Sequence, residues 1–200
     1  QRLHVYGGIL ALALFWLHTG QIWPSGDYEK AFALLFYIVS LSGIVGTLYQ
    51  QVFPRRLTQT GVEVVYERIP DEVVRLRDAA ESVVLRCTEE QHSETLARFY
   101  VETFHWFFRK PRFVFSHLWG GQSAAFWVAQ QLDTVRRYLG EKELAYLNEL
   151  GDLAHAKVRL DLHYAAQGLL KLWLFVHVPA AIGMLALAVW HLLIVNIYAL

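Results

Sequence analysis

Between Gly168 and Leu200 the chain runs for 33 residues with a single charged side chain, Lys171. A run of that length and composition crosses a bilayer as an α-helix. Inside it sit His177 and His191, and ionisable side chains within a span are costly unless they face a partner or a functional centre. They are fourteen residues apart, close to four helical turns, so both rings leave one face about 21 Å apart along the axis. The first apolar run, Leu3 to Trp23, repeats the arrangement with His4 and His18. Two helices each carrying two imidazoles in register offer four neutral nitrogen ligands, enough for two haem irons at two depths of a membrane.

Charge is distributed to match. Of 18 Lys and Arg, 16 lie from Arg55 to Lys171, and of 18 Asp and Glu, 16 lie from Glu63 to Asp161. The ends are therefore membrane-like and the middle water-like, although 55% of all residues are hydrophobic. A net charge of zero gives no basis for nucleic-acid binding. The single cysteine, Cys87, excludes an internal disulfide, a cysteine-ligated iron–sulfur cluster and covalent c-type attachment. Any haem is then held without a covalent link, as b-type. No cleavable leader is visible, and the abrupt start at an apolar edge suggests that a preceding segment is missing.

The pattern predicts an all-α integral membrane bundle with a mostly helical insertion. Residues 1–54 form spans one and two, the second from Ala31 to Phe53 and closed by Pro54-Arg55-Arg56. Residues 55–165 form the extramembrane domain, and 166–200 the last span. Leu57 to Pro70 is irregular to strand-like, with alternation in Val62-Glu63-Val64-Val65-Tyr66. Helices follow near 71–87, 89–108, 122–139 and 141–165, broken at Pro111, Gly120-Gly121 and Gly140. The aromatic stretch 104–131 reads as an interfacial, partly embedded hairpin around Arg109-Lys110-Pro111-Arg112. If it crossed instead, the spans would number four rather than three. With three spans the first and last helices are parallel, pairing His4 with His177 and His18 with His191; with four, His4 meets His191. Arg2, Arg55, Arg56 and Lys171 place the middle domain in the cytoplasm by the positive-inside tendency, and the membrane as a bacterial inner membrane. The same four cations could neutralise haem propionates.

A flat macrocycle needs small neighbours. Gly7, Gly8 and Ala11 follow His4 on one face, with Leu14 and Phe15 beyond. Ala180, Ala181, Met184, Leu187 and Ala188 lie between His177 and His191. Other histidines read as ordinary polar positions: His155 and His163 on an amphipathic helix, His105 and His117 at the interface, where one could approach a quinone head group, and His92 in water. His155 and His163, with Asp152 and Asp161, have metal binding or proton relay as the alternative. Cys87 reads as a small core residue, and Tyr164, Trp173, Trp190 and Tyr198 as interfacial anchors, with packing at a haem edge as the alternative.

The spacing of His4/His18 and His177/His191 resembles the di-haem cytochrome b of quinol-oxidising bc-type complexes, and is similar to the cytochrome b subunits of membrane formate dehydrogenases and hydrogenases. The likeness covers only the two histidine-bearing spans. It implies two non-covalent bis-histidine b haems and transmembrane electron transfer, to or from a membrane quinone. It also implies further membrane and redox subunits, or a homodimer mate, as partners. The insertion of about 110 residues departs from those families, and no Pro-Glu-Trp-Tyr quinone motif is present. The competing expectations are a non-redox membrane scaffold and a proton-relay or transport subunit using the same histidines.

Overall fold

The computed structural model describes residues 2–58, 60–61 and 63–198; Val62, the first residue of the alternating stretch, and Ala199 and Leu200, the end of the last apolar run, lie outside the described residues. The described residues are helical over most of their length and contain no strand. The chain divides into two compact units, Gln1–Arg55 with Leu169–Leu200, and Arg56–Gly168.

Three helices serve the first unit: α1 (Arg2–Thr19), α2 (Asp27–Thr58) and α8 (Glu143–Tyr198), the last two continuing into the second unit. Helix α1 stops where Gly20 takes φ 61° and its N–H reaches back to the Trp16 carbonyl at 3.0 Å, an ending that favours glycine. Asp27 and Glu29 in the first turn of α2 complement the positive end of its dipole. Pro54 does not close α2: the helix continues to Thr58, because a proline removes one backbone bond without necessarily ending a helix. Nor is the last span a separate element. A single helix of 56 residues runs from Glu143 to Tyr198 with Pro179 inside it. At the expected junction only Gly168 is a poor helix former, costing about 1 kcal/mol, too little to break a packed helix.

Helices α2 and α8 are long and apolar enough to cross a membrane. Helix α1 has 18 residues, about 27 Å, and Arg2, His4 and His18 dilute its apolar character. No residue of α1 is buried. Its contacts to α2 are aromatic: Phe15 stacks on Phe36 at 4.4 Å, and the Trp16 indole N–H donates to the Tyr37 hydroxyl at 3.0 Å.

The second unit contains α3 (Ile69–Gln91), α4 (Thr95–Phe99), a π-helical segment Tyr100–Phe104, α5 (His105–Arg109), α6 (Val114–Leu118), α7 (Ser123–Arg136) and the first part of α8. Pro70, Asp71 and Glu72 start α3 as helix-start chemistry requires. The Glu143 carboxylate accepts from the Gly140 N–H at 2.6 Å, the reciprocal half of a capping box at the start of α8. Glu63 to Val65 is extended, and Val64 packs inward while Val65 is exposed. No strand partners it; the Gln167 amide donates to the Val64 carbonyl at 2.7 Å instead.

The core of this unit joins Val83, Val84 and Cys87 of α3 to Phe104, Phe107 and Phe108, with Val128, Leu150 and Ala154 from α7 and α8. The aromatic stretch 104–131 therefore divides. Phe104, Phe107 and Phe108 are fully buried, whereas Phe115, Trp119 and Phe126 are exposed. No helix lying within 104–131 is longer than the 14 residues of α7, which also extends past it, and 14 residues span about 21 Å, short of a bilayer core.

Candidate functional site

The four histidines belong to the first unit, and the fold brings them together in two pairs. His4 and His177 line one cavity of about 470 Å³, which lies in the size range of small-molecule sites. His18 and His191 face each other with ring centres 6.4 Å apart and ring planes at 87°. Two metal–imidazole bonds of about 2 Å, with each ring centre about 1 Å behind its nitrogen, put two such rings about 6 Å apart. This pairing requires α1 and α8 to run in the same direction, with α2 antiparallel beside both.

The cavity wall is built from small residues. Gly7, Gly8 and Ala11 of α1 line it, together with Gly43 of α2 and Met184 of α8. A Cβ added at Gly7 or Gly8 meets nothing within 4 Å, so both glycines face open space. Ala181, the remaining small residue of the sequence set, is half-buried one turn after His177 but is not among the lining residues.

His177 is held by contacts from two helices. Its Nδ1 lies 2.7 Å from the Ser42 hydroxyl, and that hydroxyl also donates to the Val39 carbonyl at 2.9 Å. With the one hydroxyl proton on Val39, the imidazole is the donor to Ser42, from Nδ1. Nε2 then keeps its lone pair, the form a metal ligand needs. The Trp173 indole stacks on the same ring at 4.9 Å and 20°, and donates to the Ser42 carbonyl at 2.8 Å. Gly46 makes this possible: a Cβ there would come within 2.1 Å of the indole. Trp173 is thus a packing partner of a histidine rather than a simple anchor. Its spacing from His177, one turn, was the available signal; Ser42 and Gly46 had none, since their role depends on α2 packing against α8.

His191 has a corresponding frame. The Tyr28 ring lies parallel to it at 6.2 Å and 12°, Phe32 is 6.0 Å away, and the Tyr28 hydroxyl donates to the Leu187 carbonyl at 2.9 Å.

Histidines of the second unit have other work. His163 donates from Nε2 to Thr60 at 3.0 Å, Thr60 passes its proton to the Leu57 carbonyl at 2.6 Å, and Gln167 approaches Nδ1 at 3.3 Å. Burial lowers its pKa and keeps it neutral. The Asp161 carboxylate is engaged elsewhere, accepting from Lys157 Nζ at 2.6 Å and from the Arg112 N–H at 3.1 Å. Lys157 also donates to the Lys110 carbonyl at 2.7 Å, and both side chains are fully buried. Burial pushes the Asp161 carboxyl up to about 6 against the pull of Lys157, and lowers the Lys157 ammonium. His117 is buried rather than interfacial, and its pKa is lowered by that burial and by Lys157. His92 closes α3 in the left-handed conformation, φ 51°. Among the described residues no three His, Cys, Asp or Glu side chains converge on one point. Compared with protein-family models, curated proteins and solved structures, the chain has no match.

Proposed function

We propose that this chain is a b-type di-haem electron-transfer subunit of a membrane redox complex. His4 and His177 would hold one haem and His18 and His191 the other. The observation that carries the reading is the pairing itself: two helices with the same fourteen-residue spacing, from opposite ends of the chain, bring their histidines together two by two. The cavity beside His4 and His177 and the proton on His177 Nδ1 support it.

When bound, haem supplies reversible one-electron chemistry, and the protein sets its potential through axial ligands, hydrogen bonds and burial. The residues here would do the orienting: Ser42 and Trp173 fix the His177 ring, and Tyr28 and Phe32 flank His191. In this reading α1, α2 and α8 all span the bilayer, a bacterial inner membrane, with the Arg56–Gly168 unit in the cytoplasm. The uncovered surface of α1 is the place for a further membrane subunit or a second copy, and a quinone is the expected exchange partner. Detergent-purified protein should show a reduced bis-histidine b spectrum and two haems per polypeptide by pyridine haemochrome. A colourless preparation sinks the proposal.

A second reading has one observation in its favour. Ring centres 6.4 Å apart at 87° are also an ordinary edge-to-face contact, as in a membrane scaffold whose histidines only pack. The haem count separates the two.

A further inference from the structure

The surface of the Arg56–Gly168 unit is uneven in a way that its core does not require. From Thr103 to Leu132 there are thirty residues with three cations, Arg109, Lys110 and Arg112, and no Asp or Glu. The same segment exposes three large aromatic side chains almost completely: Phe115 at 80%, Trp119 at 88% and Phe126 at 70%. A water-facing surface of a helical unit has no use for them.

The local geometry gathers them. Phe115 on α6 and Trp119, which caps its C-terminus, are one turn apart, and the Trp119 N–H closes that turn on the Phe115 carbonyl at 3.1 Å, so both leave the same side. The Gly121 N–H bonds to the Ser116 carbonyl at 2.7 Å and the Ser116 hydroxyl to Ser123 at 3.0 Å. These contacts fold the start of α7, which carries Phe126, against α6. Gly120, at φ 76°, lies against Arg56: a Cβ at Gly120 would stand 2.8 Å from both terminal guanidinium nitrogens. Arg56 is three residues after Phe53, where the apolar run of α2 ends. The turn beside Trp119 is thus packed on the residue at which α2 passes from apolar to polar sequence.

We propose that Phe115, Trp119 and Phe126 insert into the headgroup–acyl boundary of the bilayer that α2 crosses, with Arg109 and Lys110 facing anionic headgroups. The occupant is lipid rather than protein on two grounds. The segment is cationic without any acid, and its turn packs on Arg56, three residues after Phe53. Aromatic rings and basic residues are the side chains that bilayer interfaces favour. The proposal rests on the membrane reading of α2.

The test uses the full chain in vesicles of mixed phosphatidylcholine and phosphatidylglycerol, with bromine high on the acyl chains. Cys87 is fully buried and stays unlabelled, so a fluorophore can be placed on single introduced cysteines. Gln122→Cys reports next to the aromatic residues while keeping all three. Leu41→Cys reports the span, and Leu85→Cys the exposed surface of α3. The expected result is strong quenching at 41 and 122 and none at 85. Adding Phe115→Ser, Trp119→Ser and Phe126→Ser should abolish quenching at 122 and leave 41 unchanged. If 122 behaves like 85 while 41 is quenched, the docking is wrong and the span stands. If 41 escapes quenching too, the membrane reading falls and takes the docking with it. A label at 122 shielded from brominated lipid and from aqueous iodide alike means that protein covers the patch, which overturns the lipid assignment.

Discussion

Leu85 on α3 and Leu185 on α8 expose nearly the same share of their surface, 61% and 63%. In the Arg56–Gly168 unit such a leucine is an exception around a dense core, with Phe104, Phe107 and Phe108 buried inside. In the other unit it is the rule: α1 buries nothing, and the most apolar window of α8 has no buried residue. Water organises the Arg56–Gly168 unit by driving apolar surface inward. The proposed bilayer supplies no such drive, and in the other unit contacts fall to small residues, rings and hydrogen bonds, as at Gly46–Trp173 and Ser42–His177. The polar groups follow the same divide. Lys157 and Asp161 are buried within the Arg56–Gly168 unit to fasten the loop at Lys110 and Arg112, whereas the four histidines pair across helices.

The largest test of this contrast is the loss of a ligand. Replacing His191 or His177 with Ala should each remove about one haem of two, counted by pyridine haemochrome, with the helical content of the chain unchanged by circular dichroism. A variant that keeps both haems contradicts the ligand assignment.

Next is the buried pair. Lys157→Ala leaves the Asp161 carboxylate and the Lys110 carbonyl without their main partner, and should cost about 3–5 kcal/mol in denaturant unfolding of the purified chain. The double change Lys157→Met with Asp161→Leu removes both charges but orphans the Lys110 carbonyl and the Arg112 N–H, about 1–3 kcal/mol each. It should therefore cost about 2–6 kcal/mol, less than the sum of the two single losses; strict additivity would show that the charges do not interact.

The two leucines come third. Leu185→Arg should cost about 3 kcal/mol of membrane insertion, while Leu85→Arg should change unfolding by no more than about 0.5 kcal/mol. Equal effects would mean that both surfaces meet the same solvent.

The smallest effect is a pH slope. The folded-state pKa of Asp161 is raised, from 3.8 to about 6, so its contribution is full below the unfolded value and is lost as pH rises through about 6. Between pH 4 and 6 the native chain should lose stability relative to Asp161→Asn, with a slope below one proton. A rising difference would reverse the sign and place Asp161 in a charge-stabilising site.

Much of this was legible in the chain because helical period is strict. Fourteen residues return a side chain to its face whatever surrounds it, so His4 with His18 and His177 with His191 could be paired before any packing was known. Pro70-Asp71-Glu72 similarly announces α3, because caps act locally. What stayed hidden depends on neighbours distant in sequence. Phe104 and Trp119 look alike in an aromatic run; only the core against α3, α7 and α8 sends one inward. Lys157 and Asp161, one turn apart, look like any surface ion pair until Lys110 and Arg112 close over them. The continuity of α8 was missed for a different reason: a hydropathy change near Gly168 marks a change of solvent, and a helix need not stop there.

The residues proposed to share each metal centre are synthesised far apart in time. His4 and His177 are separated by 173 positions, as are His18 and His191, and at ribosomal speeds of about 5–20 residues per second the second of each pair follows the first by roughly 9–35 s. For that interval α1 and α2 present half a ligand set, and the cavity beside His4 lacks the wall that Met184 and His177 supply. Cofactor loading is then a late event that must wait for α8, and cells starved of haem should accumulate complete chains rather than stalled ones.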